Sequence, residues 1–371
     1  MNAVALTGAV PAALHLDEMK PWNSSRQMLV CLNVADEAPN VKTFTFAVEG
    51  GGWFRYLPGQ FITLELRAMG GDLHRTYTIS SSPSRPYAIS ITIKAQPNSI
   101  GTRWIFDNVH PGSRIRAYGP NGHFTLSRKL ASRYLFISAG SGITPMMSMT
   151  RWLSDCAPAT DITFINSVRT PEEIIFRDEL HFMSTHMENL KLGFISETRT
   201  RSTPWAGFTG RIDLQKLKIL APDFLKREVF CCGPEPFMNA VSSLLRSEGF
   251  DMARYHQESF VVAPAAKTPL MAVDEIIAEA EGALDGHRVE FLSSGTVGTA
   301  LDGQTVLQTA RASGVRIPAA CESGLCGTCK VKKRSGEVDI QHNGGISDSD
   351  LEDGYILACC SRPLGPVEIE A

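Results

Sequence analysis

The last fifth of the chain carries Cys321-x4-Cys326-x2-Cys329, with Cys359 far downstream. Three thiols crowded on one loop and a fourth held remote make the plant-type [2Fe–2S] ligand set. Zinc also accepts four cysteines, but its structural sites usually pair two short Cys/His elements. The loop reads Ala320-Cys321-Glu322-Ser323-Gly324-Leu325-Cys326-Gly327-Thr328-Cys329. Gly324 and Gly327 let the backbone turn tightly, so that N–H groups can face the sulfurs. The expected metal ligands are therefore Cys321, Cys326, Cys329 and Cys359. Such a cluster carries one electron at a time, so an electron source is sought in the rest of the chain.

The 371 residues suffice for two or three domains of roughly 100–200 residues each. A net charge of −3 and no basic block argue against a nucleic-acid partner. No apolar run is long enough for a membrane span. Met1–Leu16 is apolar, but the first lysine is Lys20, so a flexible tail is expected rather than a signal peptide. Beside the four ligands stand Cys31, Cys156, Cys231, Cys232 and Cys360, an odd set without a disulfide framework. A reducing, cytoplasmic setting fits that usage.

Period-two runs such as Val41–Phe46, Phe61–Leu66 and Ala88–Ile93, divided by turn residues, predict an all-β barrel or sandwich over 28–129. From 130 to 262 the rhythm changes. Strands are expected at Tyr134–Ser138, Asp161–Val168, Leu190–Ile195 and Glu228–Cys232, with helices at Pro145–Leu153, Ile174–His186 and Pro236–Glu248. That alternation predicts a doubly wound parallel sheet. Residues 1–27 are expected to be a tail and 263–286 a linker. Over 287–371 strands surround one helix, about Val306–Ser313, ahead of the cysteine loop.

Three further motifs carry chemistry. Arg75-Thr76-Tyr77-Thr78 lies on a barrel strand. An arginine can grip phosphate bidentately, a tyrosine two residues on shares its strand face, and Thr78 can bond a ring nitrogen. Gly140-Ser141-Gly142-Ile143-Thr144-Pro145 follows a strand and opens a helix, where backbone N–H groups can hold a pyrophosphate. Cys231-Cys232-Gly233-Pro234 ends a later strand, at the edge where open α/β sheets bind ligands.

In this order the motifs resemble the ferredoxin–NADP reductase superfamily, and with the cysteine set the chain resembles a flavin–NAD–[2Fe–2S] reductase. It is most similar to reductase components of Rieske oxygenases that demethylate betaines, and to hybrid-cluster-protein reductases. The resemblance implies a multidomain β + α/β + α+β chain. Its parts would be a Greek-key flavin-binding β-barrel, a doubly wound NAD domain and a C-terminal β-grasp ferredoxin domain. It also implies residue roles. Arg75, Tyr77 and Thr78 match the flavin motif, and Gly101 and Thr102 match the segment that meets the flavin phosphates. Gly140, Gly142, Thr144 and Pro145 match the nicotinamide-dinucleotide loop. Cys232, Gly233 and Pro234 match the segment beside the nicotinamide, with Thr78 and Cys232 nearest the reacting atoms. Glu258-Ser259-Phe260 matches the segment closing over the flavin; for Phe260, core packing stands as the alternative.

Two departures accompany the match. Thr78 stands where serine is common, and Glu322 stands where many plant-type ferredoxins carry arginine, which makes the loop less basic. The electron path implied runs from NADH through FAD and the cluster to a separate protein acceptor. FAD is favoured over FMN by the Ser80-Ser81-Ser82-Pro83 run and the second phosphate segment. NADH is favoured over NADPH, for which Arg169, Arg199 and Arg201 would be the candidate 2′-phosphate ligands. The expected acceptor is a Rieske-type oxygenase acting on a small methylated amine. A hybrid-cluster protein is the alternative acceptor. A zinc-binding redox sensor or scaffold without electron transfer is the alternative of another class.

Overall fold

The computed structural model describes residues 27–68, 71–97, 99–126, 130–260, 286–319, 322, 324, 327–342 and 345–371. The expected tail before residue 27, the expected linker up to residue 285, and Cys321 and Cys326 lie outside the described residues. The described residues divide into two compact units, one within 27–62, 77–120 and 124–260, the other within 63–76, 121–123 and 286–371.

Strands β1 (Gln27–Ala38), β2 (Val41–Val48), β3 (Phe61–Ala68), β4 (Gly71–Thr78), β5 (Ile89–Lys94) and β6 (Arg114–Asn121) form a six-stranded sheet in the order β4-β3-β6-β1-β2-β5. A bridge between Ile79 and Ile91 joins the segment after β4 to β5, so the two ends of the sheet meet as a barrel requires. Phe44, Phe46, Ile89 and Ile91 are fully buried at alternating strand positions. The β1–β2 hairpin turns through Asn40 at φ 59°, a conformation asparagine tolerates. The all-β expectation for this region needs correcting. Helix α1 (Ile100–Asn108) interrupts the strands, started by Ser99, whose hydroxyl accepts from the Thr102 N–H at 3.3 Å.

The remainder of the first unit is a parallel sheet of β7 (Arg133–Ala139), β8 (Asp161–Val168), β9 (Leu190–Ser196), β10 (Phe208–Thr209), β11 (Glu228–Cys232) and β12 (Tyr255–Glu258), ordered β10-β9-β8-β7-β11-β12. Helices α2 (Ile143–Cys156), α3 (Arg177–His186), α4 (Leu214–Leu220) and α5 (Glu235–Ser247) accompany it. One core joins α2 and α3 to Phe136, Phe164 and Phe230; a second joins α4 and α5 to Leu135, Ile137 and Val229. The sheet is therefore covered on both faces, which is why its strands read as continuous apolar runs. Helix α3 begins later than expected, at Arg177 rather than Ile174. Phe176 is left-handed at φ 58° and buried, with the Arg151 guanidinium 4.7 Å over its ring.

In the second unit, β13 (Gly286–Phe291), β14 (Thr296–Leu301), β15 (Lys330–Ser335), β17 (Tyr355–Leu357) and β19 (Val367–Glu370) form a mixed sheet ordered β14-β13-β19-β15-β17; β16 (Val338–Ile340) pairs with β18 (Ser361–Pro363). β13 runs antiparallel to β14 and parallel to β19. Helix α6 (Val306–Ala312) opens on a capping box between Thr305 and Gln308 and buries Val306, Leu307 and Ala310 against Val289, Phe291 and Ile369. A short helix, α7 (Asp348–Glu352), precedes β17. Among the described residues no helix is long and apolar enough to cross a membrane.

Candidate functional site

Chain order along the parallel sheet reverses between β7 and β11: β8, β9 and β10 lie to one side, β11 and β12 to the other. At such a switch point the loops after the two central strands part and leave a crevice at the strands' carboxyl ends. The Gly140–Gly142 turn leaves β7 there, and Gly233 leaves β11. The two glycines of the turn do different work. Gly140 takes φ +53°, and a side chain placed on it would meet nothing within 4 Å. A Cβ on Gly142 would lie 2.3 Å from the Cys232 carbonyl oxygen and 2.7 Å from the Gly233 nitrogen, so only glycine lets the loops touch. Helix α2 has no side-chain cap at Gly142 and no acid in its first turn. The Ile143 N–H donates to the Gly140 and Ser141 carbonyls, so α2 continues directly from the glycine turn, and the positive end of its dipole faces the crevice without an opposing acid. Thr144 and Pro145 are buried in that turn, Thr144 donating to the Ser141 carbonyl at 3.1 Å. Pro234, exposed, caps α5.

One level down, the strand registers align Asn166, Ser138, Cys232 and Glu258 across β8, β7, β11 and β12. All four are buried. Asn166 donates to the Ser138 hydroxyl at 2.9 Å, which donates to the Ile165 carbonyl at 3.3 Å. Burial, with the Glu258 and Cys231 charges adding, pushes the Cys232 thiol well above its ordinary value, so it stays protonated. Burial pushes Glu258 up to about 8. Its Oε2 meets no hydrogen-bond partner among the described residues. Sequence reasoning named the Glu258 segment but not this carboxyl as a site group. The available signal was its place at the carboxyl end of a strand.

Tyr77 and Thr78 end β4, Thr78 buried and Tyr77 half-buried. Arg75, also on β4, donates to the His74 carbonyl at 2.8 Å. Gly101, buried, and Thr102 sit in the first turn of α1; the Thr102 hydroxyl accepts from the Gln96 N–H at 3.1 Å. The serines that follow β4 are used within the protein. Ser81 bonds the Tyr56 hydroxyl and the Ser90 N–H, both at 2.9 Å, and Ser80 bonds Thr92 at 3.0 Å. Their carbonyls are gripped by α2, Ser81 by Ser148 at 2.7 Å and Ser80 by Arg151 at 2.6 Å. Arg151 is itself fixed by a bidentate pair with Glu179, at 2.6 and 2.7 Å. The serine run is thus a clamp from barrel to α2. Phe260 is 45% exposed, so core packing is not its place. Arg199 donates to the Thr209 hydroxyl at 3.1 Å, while Glu172, beside the same loop, accepts from Thr200 and Ser202.

In the second unit Cys329 and Cys359 are buried within one core. The Gly324 N–H points to the Cys359 sulfur at 3.3 Å, and Gly324 and Gly327 take positive φ of 70° and 69°. Hydrogen bonding from Cys329, then from Cys360, holds the Cys359 thiol well below its ordinary range despite burial.

Comparison with known proteins agrees with this layout. An oxidoreductase FAD-binding domain matches residues 31–126, an oxidoreductase NAD-binding domain residues 136–243, and a 2Fe-2S iron-sulfur cluster binding domain residues 293–364. The stachydrine N-demethylase reductase subunit Stc4 of Rhizobium meliloti (strain 1021) is 49% identical over 94% of this chain and 97% of its own length. The chain belongs to the flavin–NAD–[2Fe–2S] reductases of the ferredoxin–NADP reductase superfamily. A glycine betaine monooxygenase reductase subunit of Pseudomonas aeruginosa (strain UCBPP-PA14) is 44% identical over 94% of this reductase and 96% of its own length. The fold is that of phthalate dioxygenase reductase, a modular structure for electron transfer from pyridine nucleotides to [2Fe–2S]. That match has a TM-score of 0.57 at 23% identity, over 94% of this reductase and 98% of that chain. The reductase is an NAD- and FAD-binding oxidoreductase with a [2Fe–2S] domain, and the zinc-scaffold alternative finds no support in these matches.

The residues fit those groups. The Gly142 close approach and an α2 start free of acidic side chains suit a dinucleotide pyrophosphate. A buried thiol pair, one member held ionised and facing a backbone N–H, suits iron–sulfur ligation.

Proposed function

We propose that this reductase delivers electrons from NADH to a separate Rieske-type oxygenase that demethylates a small methylated amine of the betaine class, in the cytoplasm. The observation that carries the reading is the 49% identity, over nearly the full length of both chains, to a stachydrine N-demethylase reductase subunit. Bound nicotinamide, flavin and cluster would supply hydride transfer and its division into single electrons.

The chain's own residues bind and orient. The α2 N-terminus and the Gly140–Gly142 backbone hold the nucleotide pyrophosphate. Arg75 and the first turn of α1, with Gly101 and Thr102, hold the flavin phosphates. Tyr77 and Thr78 would line the flavin ring, and Phe260, exposed at 45%, would be available to pack on it. Cys232, Gly233 and Pro234 border the nicotinamide. Glu258, one strand beyond Cys232, keeps a proton at its carboxyl near neutral pH and would offer an uncharged group to a ring bound there. The four thiolates of Cys321, Cys326, Cys329 and Cys359 hold the cluster. NADH rather than NADPH is supported by Glu172, which accepts from Thr200 and Ser202 beside Arg199 and Arg201 and would repel a 2′-phosphate; Glu197 is paired with Arg211 at 3.2 Å.

The test is an anaerobic NADH titration followed by visible absorption and EPR. The same preparation is then mixed with a purified betaine-demethylating oxygenase and its substrate. Flavin bleaching, a rhombic signal from one reduced [2Fe–2S] centre and formaldehyde release are expected. A reduced cluster that leaves the oxygenase oxidised would sink the assigned acceptor.

A further inference from the structure

The cluster loop carries a charged residue that its ligation does not require. Glu322 directly follows the first cysteine of the set and takes φ 52°. Among the described residues only Asn40, Phe176 and Glu322 adopt positive φ without being glycine. Asparagine tolerates that region and Phe176 is locked under Arg151, whereas a glutamate there calls for a reason. In this conformation both carboxylate oxygens of Glu322 meet the Arg311 guanidinium, at 2.6 and 3.1 Å. Arg311 lies in the last turn of α6, where a cation also suits the helix dipole.

Helix α6 touches the other half of the ligand set as well. At its opposite end the Leu307 N–H donates to the carbonyl of Ala358, the neighbour of Cys359, at 2.8 Å. Ala358 in turn donates to the Cys329 carbonyl at 3.0 Å. One short helix therefore ties the remote ligand at its start and the cysteine loop at its finish. The Arg311 charge is also within electrostatic reach of the ligands: after the Glu322 hydrogen bonds, Cys359 and Cys329 help raise the guanidinium's affinity for its proton, against burial.

We propose that Glu322 and Arg311 are positioning residues for the iron–sulfur centre: their ion pair clamps the cysteine loop to α6 and balances the charge that the cluster experiences. The proposal rests on the [2Fe–2S] reading. A centre held by four thiolates is anionic and gains one more negative charge on reduction. A nearby cation therefore favours its reduced form and a nearby anion its oxidised form. Paired, the two charges nearly cancel; unpaired, each acts alone.

An anaerobic redox titration of the full chain, read by the EPR signal of the reduced centre, tests this. Arg311→Gln leaves the carboxylate unopposed and is expected to shift the midpoint potential downward. Glu322→Gln leaves the guanidinium unopposed and is expected to shift it upward. The double variant is expected to return toward the unsubstituted value. Opposite shifts that cancel are not what a purely structural contact produces. If Arg311→Gln instead loses the signal, Arg311→Lys, which keeps the charge, is expected to restore it; failure to restore it would overturn the charge role. The signal of the unsubstituted protein reports on the cluster reading separately. With that signal present, two single variants of unchanged potential would overturn the proposal alone.

Discussion

The two ends of the parallel sheet are built to opposite rules. At the amino end Arg227, 1% exposed, donates to Asp223 at 2.7 Å, to Asp161 at 2.9 Å and to the Tyr134 carbonyl at 3.0 Å. Arg133 adds a bond to Asp223 at 3.1 Å. Burial works against the Asp223 charge, yet the Arg227 hydrogen bond and attraction prevail and hold its carboxyl below the ordinary range. At the carboxyl end the buried atoms Asn166 Oδ1, Ser167 Oγ and Glu258 Oε2 have no hydrogen-bond partner among the described residues. One end pairs its charged groups and joins β7, β8 and β11, although the Thr163 hydroxyl, third along β8, also lacks a partner among the described residues. The other leaves capacity unsatisfied where a ligand would enter. A buried polar atom without a partner weakens a fold, so the gathering of three of them, a carboxyl included, at one edge marks that edge as the working one.

That contrast can be broken from either side. Arg227→Leu removes the hub of the paired end and strands two carboxylates that retain some access to water. Denaturant unfolding is expected to show a loss of about 3 kcal/mol. The NADH-to-ferricyanide rate of the folded fraction should stay unchanged, because the substitution is at the far end of the strands. A large loss of that rate at full folding would mean that the two ends are not independent. Gly142→Ala attacks the working end, driving a methyl to within 2.3 Å of the Cys232 carbonyl unless the loops part. Parting them should raise the KM for NADH about tenfold, equivalent to about 1.4 kcal/mol of binding, with FAD content retained. An unchanged KM would detach the Gly140–Gly142 turn from nucleotide binding.

How much of this was legible in the sequence follows from what each element depends on. Strands β8 and β11 end where expected, at Val168 and Cys232, because strands covered on both faces are near-continuous apolar runs. Helix α1 was missed: its nine residues follow three β-patterned runs, and its strongest mark is a single serine cap. Helix α4 was missed as well, being a short amphipathic stretch whose Asp213 cap had no long periodic run behind it. The start of α3 moved because Phe176 turns left-handed under a cation from another helix, a contact no local pattern encodes. The site shows the same division. Local motifs such as Gly140-Ser141-Gly142 were readable. The row Asn166, Ser138, Cys232 and Glu258 exists only once four strands distant in sequence pair in register.

That row offers the subtlest way to sharpen the contrast between the ends. Glu258 has an ordinary value of 4.5, and in the folded chain burial raises it to about 8. Between those limits the folded state holds a proton that the unfolded state has released. The stability contributed by the neutral carboxyl is therefore complete below 4.5 and lost as pH rises through about 8. The slope can reach about 1.4 kcal/mol per pH unit. Glu258→Gln has no proton to lose, so the parent-minus-variant stability should fall with rising pH across this window. The corresponding difference for Asp223→Asn should vary only at acid pH, because that carboxyl is held below its ordinary range. Urea midpoints at several pH values would show it. A flat difference for Glu258→Gln would mean that the carboxyl is already ionised and solvated in the folded chain. The working end would then be wetter, and less distinct from the paired end, than its buried atoms imply.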